Sequence, residues 1–399
     1  MPKLFFSNFD FEDELAGRRT HPAALKSLQT SLSKMWSAIA EPGDRLYDHY
    51  PGSGQTSSAT VRKDSDHSAL GSLELINEHQ LANSNKQFEL VPWGWSPSCL
   101  TLAEQFALTT RSPELSCVRT INDRIFGFDY ECEASIGLDG ATSIRSENQL
   151  VSQVNTLVRH ATYCDAPTTT PWIVKSHFSA AGRHCLRGQG PPTERQLAWV
   201  RKRIGRAEVL FLEPIVDRVR EAGFQFWIDD RGARFDGCVE MLCDRNGQFR
   251  ASVVTPSTPP EWAESLVHCT QLAQRIQGMG YFGPLGIDAM QYRQPDGQQK
   301  QRPIQDVNGR FTMGRMALSL KQALSDENEV AIWLHCDCDP SNSPETLALK
   351  LKKAFPLATR ILPTSTLPQQ SGKAPFLVVL PPLSDLATVL ISTENMFGR

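Results

Sequence analysis

A chain of 399 residues with 40% hydrophobic and 21% charged residues is long enough to bury the cores of two or three domains. Its formal charge of −3 leaves no electrostatic footprint for nucleic acid, although a local basic cleft for a small anion remains compatible with it. There is no apolar run of about 18 residues to span a membrane. The start, MPKLFFSNFDFEDELAG, places acids where a signal peptide needs apolar length, and the ten scattered cysteines fit reduced thiols in a cytoplasm.

In chain order, KLFFSN and QFELVPWGW read as buried strands around a helix in HPAALKSLQTSLSKMWSAIAEPG. There Leu25, Leu28, Leu32, Met35 and Ile39 recur at helical spacing, with Thr20 as a cap and Pro-Gly as the stop. PWGW at 92–95 reads as aromatic core. The turn-rich YPGSGQTSSATVRKDSDHS reads as a loop, and residues 1–110 together as a small α/β domain.

A second segment, 111–206, carries helical spacing through Leu150, Val154, Leu157 and Val158, then TPWIVKSHFSAAGRHC. In that stretch Lys175 supplies a point charge on a strand, and the small residues around Gly182 let backbone N–H groups approach phosphate. A lysine there can equally extend its stem to solvent.

From 207 to 325 the pattern changes. EVLFLEPIV, GFQFWIDD, ARFDGCVEML and QFRASVV read as strands of an antiparallel meander parted by DDRG and DRNG turns. Helix EWAESLVHCTQLAQRIQGMG follows, stopped by Gly278 and Gly280, and then the strands GIDAMQYR and RPIQDV. The last part, 326–399, predicts further strands in VAIWLHCDCD, ATRILPTS and APFLVVLPP. His335, Cys336 and Cys338 suggest a metal, but no second ligand pair accompanies them, and buried thiols are the simpler reading.

The stretch RPIQDVNGRFTMGR, 302–315, carries chemistry. Asp306, Asn308 and Arg310 lie two apart and so share a strand face. A carboxylate and an amide oxygen suit a hard cation, and a guanidinium suits a phosphate. If the hairpin through PDG centres on Gly297, Asp288 lies directly opposite Asp306 and completes a three-oxygen site. A one-residue slip would send one of them to the other face.

INDRIFGFDYE, WIVKSHFSAAGR, FLEPIVDR, GIDAM and IQDVNGRFTMG, in this order after a domain with a buried first strand, resemble the ATP-grasp superfamily of carboxylate–amine ligases over about residues 1–318. The resemblance implies a multi-domain α/β and α+β protein. Its parts are a pre-ATP-grasp domain at 1–110, a small subdomain with the phosphate loop at 111–206, a catalytic subdomain with the metal site at 207–325, and a C-terminal α/β extension at 326–399. It also implies ATP and Mg²⁺ as cofactors, with Mn²⁺ as a substitute, and small-molecule carboxylate and amine substrates.

On the family's pattern Arg124 and Lys175 are the bases on two successive strands that hold the phosphates, and Gly182 with Arg183 belongs to the loop over them. Glu213 opens the hinge whose backbone, Pro214, Ile215 and Val216, receives adenine. Asp288, Asp306 and Asn308 match the metal positions, and Arg310 matches the arginine near the transferred phosphoryl group. Two departures stand out: Asp306 replaces a commoner Glu, and the loop SAAG has a single glycine that would lean on Arg183 and His184. A small-molecule kinase and a degenerate nucleotide-binding protein remain as alternatives, and the oligomeric state is left open.

Overall fold

The computed structural model describes residues 1–19, 32–49, 73–163, 171–178, 183–243, 249–294, 296–338, 344–364, 372–382 and 384–396, with residues 23, 25, 26 and 29 of the intervening stretch. Three sheets organise it. The first is β3-β2-β1-β4, made of β1 (Lys3–Phe6), β2 (Arg45–Tyr47), β3 (Glu74–Ile76) and β4 (Glu89–Pro92), all paired in parallel. The two stretches read as buried strands are thus direct neighbours, Phe5 opposite Val91. Apolar side chains fill both faces, as a parallel sheet requires: Phe5 packs on Trp36, while Leu4 and Leu90 share a core with Leu102. Of the helix expected from Thr20, the end is a tight 3₁₀ turn over Ser33–Ala38 that buries Met35 and Trp36; Thr20 and Leu28 lie outside the described residues, as does the stretch 50–68 expected as a loop.

The second sheet is small and antiparallel, in the order β5-β8-β6-β7, from β5 (Thr142–Ile144), β6 (Pro171–Ser176), β7 (Cys185–Gln189) and β8 (Leu210–Pro214). Here the expected meander needs correction. EVLFLEPIV does not join the strands that follow it; as β8 it sits between β5 and β6, and the chain crosses from one sheet to the other just after Pro214. Burial of Leu210 and Leu212 against Trp172 and Val174 decides this placement, which alternation along one strand cannot.

The third sheet has eight strands in the order β13-β12-β9-β10-β11-β14-β16-β15, antiparallel throughout. They are β9 (Asp217–Asp229), β10 (Gly232–Cys243), β11 (Phe249–Val254), β12 (Gly283–Arg293), β13 (Gln299–Asn308), β14 (Val330–Cys338), β15 (Arg360–Pro363) and β16 (Gly372–Leu380). Strands from 326–399 therefore extend the same sheet that carries Asp288. The helix Ala263–Gly278 covers one face with Cys269, Leu272, Ala273 and Ile276, and Gly280 follows with φ +87°, a left-handed conformation that glycine adopts without strain.

Cys336 is buried with Leu334 and Phe376, whereas His335 points to the other side of β14 against Trp333 and Phe249. Adjacent strand residues face apart, so these two cannot share a metal. The side chain of Cys338 lies outside the described residues. No group of three or more His, Cys, Asp or Glu side chains placed to hold a metal occurs among the described residues, nor does a helix long and apolar enough to cross a membrane.

Candidate active site

A cleft of about 310 Å³ opens between the small sheet and the eight-stranded sheet. Its metal-like corner is the β12–β13 hairpin. Asp288 pairs directly with Asp306, and Gly286 with Asn308. The register expected from a turn at Gly297 is reached by a detour: near the turn Met290 pairs with Arg302, two residues out of step, and a bulge before Asp288 restores it. Pro303 lies in the bulged segment and has no N–H to give the ladder, which suits the irregularity.

Asn308 Nδ2 donates to Asp288 Oδ2 at 3.2 Å, and Arg124 Nη2 approaches Asp306 Oδ2 at 3.4 Å. Burial, and then the facing Asp306, push the Asp288 carboxyl up to about 7. Two acids held face to face form a pair that a divalent cation would relieve. Two carboxylates and an amide oxygen are hard donors of the kind Mg²⁺ takes, so these three residues fit such an ion.

Arg124 occupies a different element from the one expected. It opens the helix Arg124–Ala134, whose cap Asp123 accepts from the N–H of Ile125; it is not on a strand. His177 at the end of β6 fixes this corner, its carbonyl accepting from the Arg124 N–H at 3.0 Å and its Nδ1 lying 3.1 Å from Asp123 Oδ2. Arg124 and Lys175 still reach one cleft, because the helix start is bonded at the end of the strand bearing Lys175.

Lys175 does not extend to solvent. Its Nζ donates to Glu213 Oε2 at 2.5 Å, and burial draws it below the ordinary lysine value despite that carboxylate. Burial alone would raise Glu213, but Arg302, Lys175 and Arg124 outweigh it and hold the group well below the usual carboxylate range. Arg302 in turn grips Glu131 through two bonds, 2.6 and 2.7 Å, with side-chain exposures of 4% and 2%. Glu131 and Arg302 were not expected as site residues. The only local signal was Arg302's place four residues before Asp306.

Glu221 was also missed. It is 5% exposed, accepts at Oε1 from Arg218 and Gln305, and its Oε2 has no partner among the described residues; the same holds for Gln305 Oε1. Both residues line the cleft. The alternation of Glu221, Gly223 and Gln225 against Phe224 and Phe226 is the signal that could have found this face.

Arg310 lines the cleft but is held from the N-terminal helix Phe11–Leu15: its Nε donates to Glu12 Oε1 at 2.7 Å and its Nη1 to the Phe311 carbonyl at 3.0 Å, leaving Nη2 without a hydrogen-bond partner among the described residues. The neighbouring acid, Asp13, lies 3.1 Å from His184 and 3.7 Å from Arg183. Gly182, expected in the phosphate loop, lies outside the described residues. Pro214, Ile215 and Val216 line the cleft beside Glu213. Seven bases, Arg124, Lys175, Arg183, Arg187, Arg218, Arg302 and Arg310, face four acids, Glu213, Glu221, Asp288 and Asp306. Glu131 and Glu12, just behind this lining, bond Arg302 and Arg310, so the cleft keeps a small positive excess in a chain of net −3, which favours an anion.

The fold is similar to that of solved structures. N5-carboxyaminoimidazole synthetase from Staphylococcus aureus, complexed with ADP, matches over 100% of this chain and 96% of its own, with a TM-score of 0.52 and 11% identity. The enzyme from Aspergillus clavatus, in complex with ADP and 5-aminoimidazole ribonucleotide, matches over 100% and 98%, with 0.51 and 10%. Biotin carboxylase from Campylobacter jejuni, as a β,γ-ATP complex, matches over 95% and 87%, with 0.52 and 11%. No protein-family model matches the chain, and no curated protein does.

Proposed function

Taking the ATP-grasp fold of this chain as the premise, we propose that it is an ATP- and Mg²⁺-dependent ligase that joins a carboxylate to an amine through an acyl phosphate. The observation that carries the reading is the meeting, in one cleft, of the Asp288–Asp306–Asn308 face with Lys175, Arg124 and the hinge at Glu213. The solved relatives named above are complexes with ADP or an ATP analogue, which supports a nucleotide in this cleft.

Residues Pro214 to Val216 offer backbone to adenine. Glu221 Oε2 and Gln305 Oε1, free acceptors between that hinge and Asp288, suit the ribose hydroxyls. Lys175, with N–H groups beyond the one given to Glu213, and Arg124 neutralise phosphate oxygens. Asp288, Asp306 and Asn308 would hold Mg²⁺, which when bound supplies charge neutralisation across the terminal phosphates. Arg310 presents its free Nη2 toward the transferred group while Glu12 fixes its other edge.

In the reaction the substrate carboxylate oxygen bonds to the γ-phosphorus as the bond to the bridging oxygen of ADP breaks. The amine nitrogen then bonds to the acyl carbon, inorganic phosphate departs and the nitrogen sheds a proton. Such chemistry asks the protein for positioning and charge, with no nucleophilic side chain.

Incubation with Mg-ATP, pooled carboxylic acids and hydroxylamine tests the reading: hydroxamate and ADP are expected. Formation of a phospho-alcohol instead would make the protein a small-molecule kinase. Nucleotide binding without turnover would make it a degenerate nucleotide-binding protein.

A further inference from the structure

Across the eight-stranded sheet the wall of the cleft changes character. On β12 and β13 it bears Asp288, Asp306 and Asn308; on β10 and β11 it bears Met241, Cys243 and Phe249, all half-buried and lining the same cavity. Leu242, between the first two, points through to the opposite core, as strand alternation requires. Phe249 is backed by His335 and Trp333, at ring separations of 5.2 and 6.3 Å. This is an apolar, partly thioether surface, a kind that adapts to irregular apolar ligands.

Between the acidic and apolar regions lies Gly223 on β9, paired with Asp288 on one side and Val239 on the other. A Cβ built there would lie 3.4 Å from Asp288 Oδ1, 3.4 Å from Met241 Sδ and 3.0 Å from Gln225 Nε2. The backbone at Gly223 is not in the left-handed region, so its conformation does not call for glycine. Gly223 is buried behind the cleft wall, so a methyl group there would crowd these three atoms and press the methionine sulfur toward the cavity.

We infer that Met241, Cys243 and Phe249 form the seat for an apolar carboxylic acid substrate: its carboxylate lies toward Asp288 and its aliphatic or aromatic body lies against Met241. The inference rests on the ligase reading. A reacting carboxylate must approach the phosphate held near Asp288 and Asp306, and the adjoining wall offers its body no charge to pair with. Met241 sets the size limit next to Asp288, and Gly223 behind it fixes how far the methionine sulfur can retreat.

The test is a hydroxamate assay on a panel of straight-chain, branched, aromatic and dicarboxylic acids, with Gly223→Ala and Met241→Ala beside the parent and ADP affinity measured by calorimetry. For the parent, kcat/KM should rise about fourfold per buried methylene until the seat is full. Gly223→Ala should shift the optimum to shorter acids, costing the best bulky acid about tenfold relative to acetate. Met241→Ala should shift it to longer ones. ADP affinity should stay within about threefold in both.

A preference for dicarboxylic or other charged acids, or an equal loss on every acid in both variants, would overturn the assignment while leaving the ligase reading intact. Absence of hydroxamate from every acid, with ADP still bound, would remove the ligase reading and this seat with it. Should Gly223→Ala fail to fold, an unchanged length optimum in Met241→Ala is sufficient to refute the seat.

Discussion

Arg302→Met is the perturbation whose size follows most directly from the structure. Among the described residues Arg302 is the only base bonded to Glu131, through two contacts of 2.6 and 2.7 Å, and it shares Glu213 with Lys175. With side-chain exposures of 4% and 2%, water cannot replace what is removed. Stranding one partner of a buried pair costs roughly 3–5 kcal/mol. The lower end applies because Glu131, which burial already pushes above the usual carboxylate range against the pull of Arg302, can take up a proton instead of staying charged. Glu213 keeps Lys175 and adds little to the loss.

A loss of about 3 kcal/mol with a urea slope of about 2 kcal/mol per molar moves the midpoint by about 1.5 M, read by fluorescence of the tryptophans. Folding that protonates a carboxylate becomes less favourable as pH rises above the unfolded value, about 4.3, so the deficit should be larger at pH 8 than at pH 5. Adding Glu131→Gln removes the stranded charge and should restore most of the midpoint, a coupling that a double-mutant cycle measures. A shift under about 0.5 M, or a double variant no better than the single, would show that the pair is not the buried anchor of Glu213 and Lys175.

Four further outcomes follow from the same contacts. Asp306→Asn relieves the repulsion on Asp288, so turnover should disappear while the melting temperature of the unliganded protein stays equal or rises; a calorimetric fall would contradict this. Lys175→Met preserves stem volume but leaves Glu213 to Arg302 alone, and ATP should bind at least about tenfold more weakly, the loss of a charge-assisted bond; equal affinity would separate Lys175 from phosphate. Arg310→Lys keeps charge but not the fork that spans Glu12 and a ligand, so kcat should fall roughly 10²-fold with the ATP Kd nearly constant; weaker ATP binding at unchanged kcat would place Arg310 on the ground-state nucleotide. His49, whose ring lies 4.7 Å from that of Phe6 and 5.1 Å from that of Tyr47, is lowered by burial to about 4, so its unfolded form binds a proton first as pH falls. Its share of stability, at most about 3 kcal/mol, is complete above about pH 6.5 and lost towards pH 4; His49→Phe should flatten that slope in pH-dependent denaturation.

Local pattern alone decided a good deal. Two-residue spacing placed Asp306 and Asn308 on one face, and the PDG turn paired their strand with that of Asp288, because both depend on chain geometry over some twenty residues; the bulge that sets Asp288 opposite Asp306 was not legible. The helix ending at Gly278 and the buried strands β1 and β4 were legible for the same reason, though not their parallel pairing, and five motifs in order were enough for the ATP-grasp fold. Tertiary structure decided what each charge meets. Arg302 finds Glu131 across 171 positions and Arg310 finds Glu12 across 298, and no periodicity reaches so far. Arg124 reaches the cleft from a helix start instead of a strand, since a capping Asp and a nearby β6 carbonyl fix it there. Strand β8 left the expected meander for the small sheet because its apolar face fits Trp172 and Val174, and the strands after 326 joined the large sheet because β11 would otherwise present an unpaired edge. A sequence specifies which faces must be buried, while only the assembled chain determines which other surface buries them.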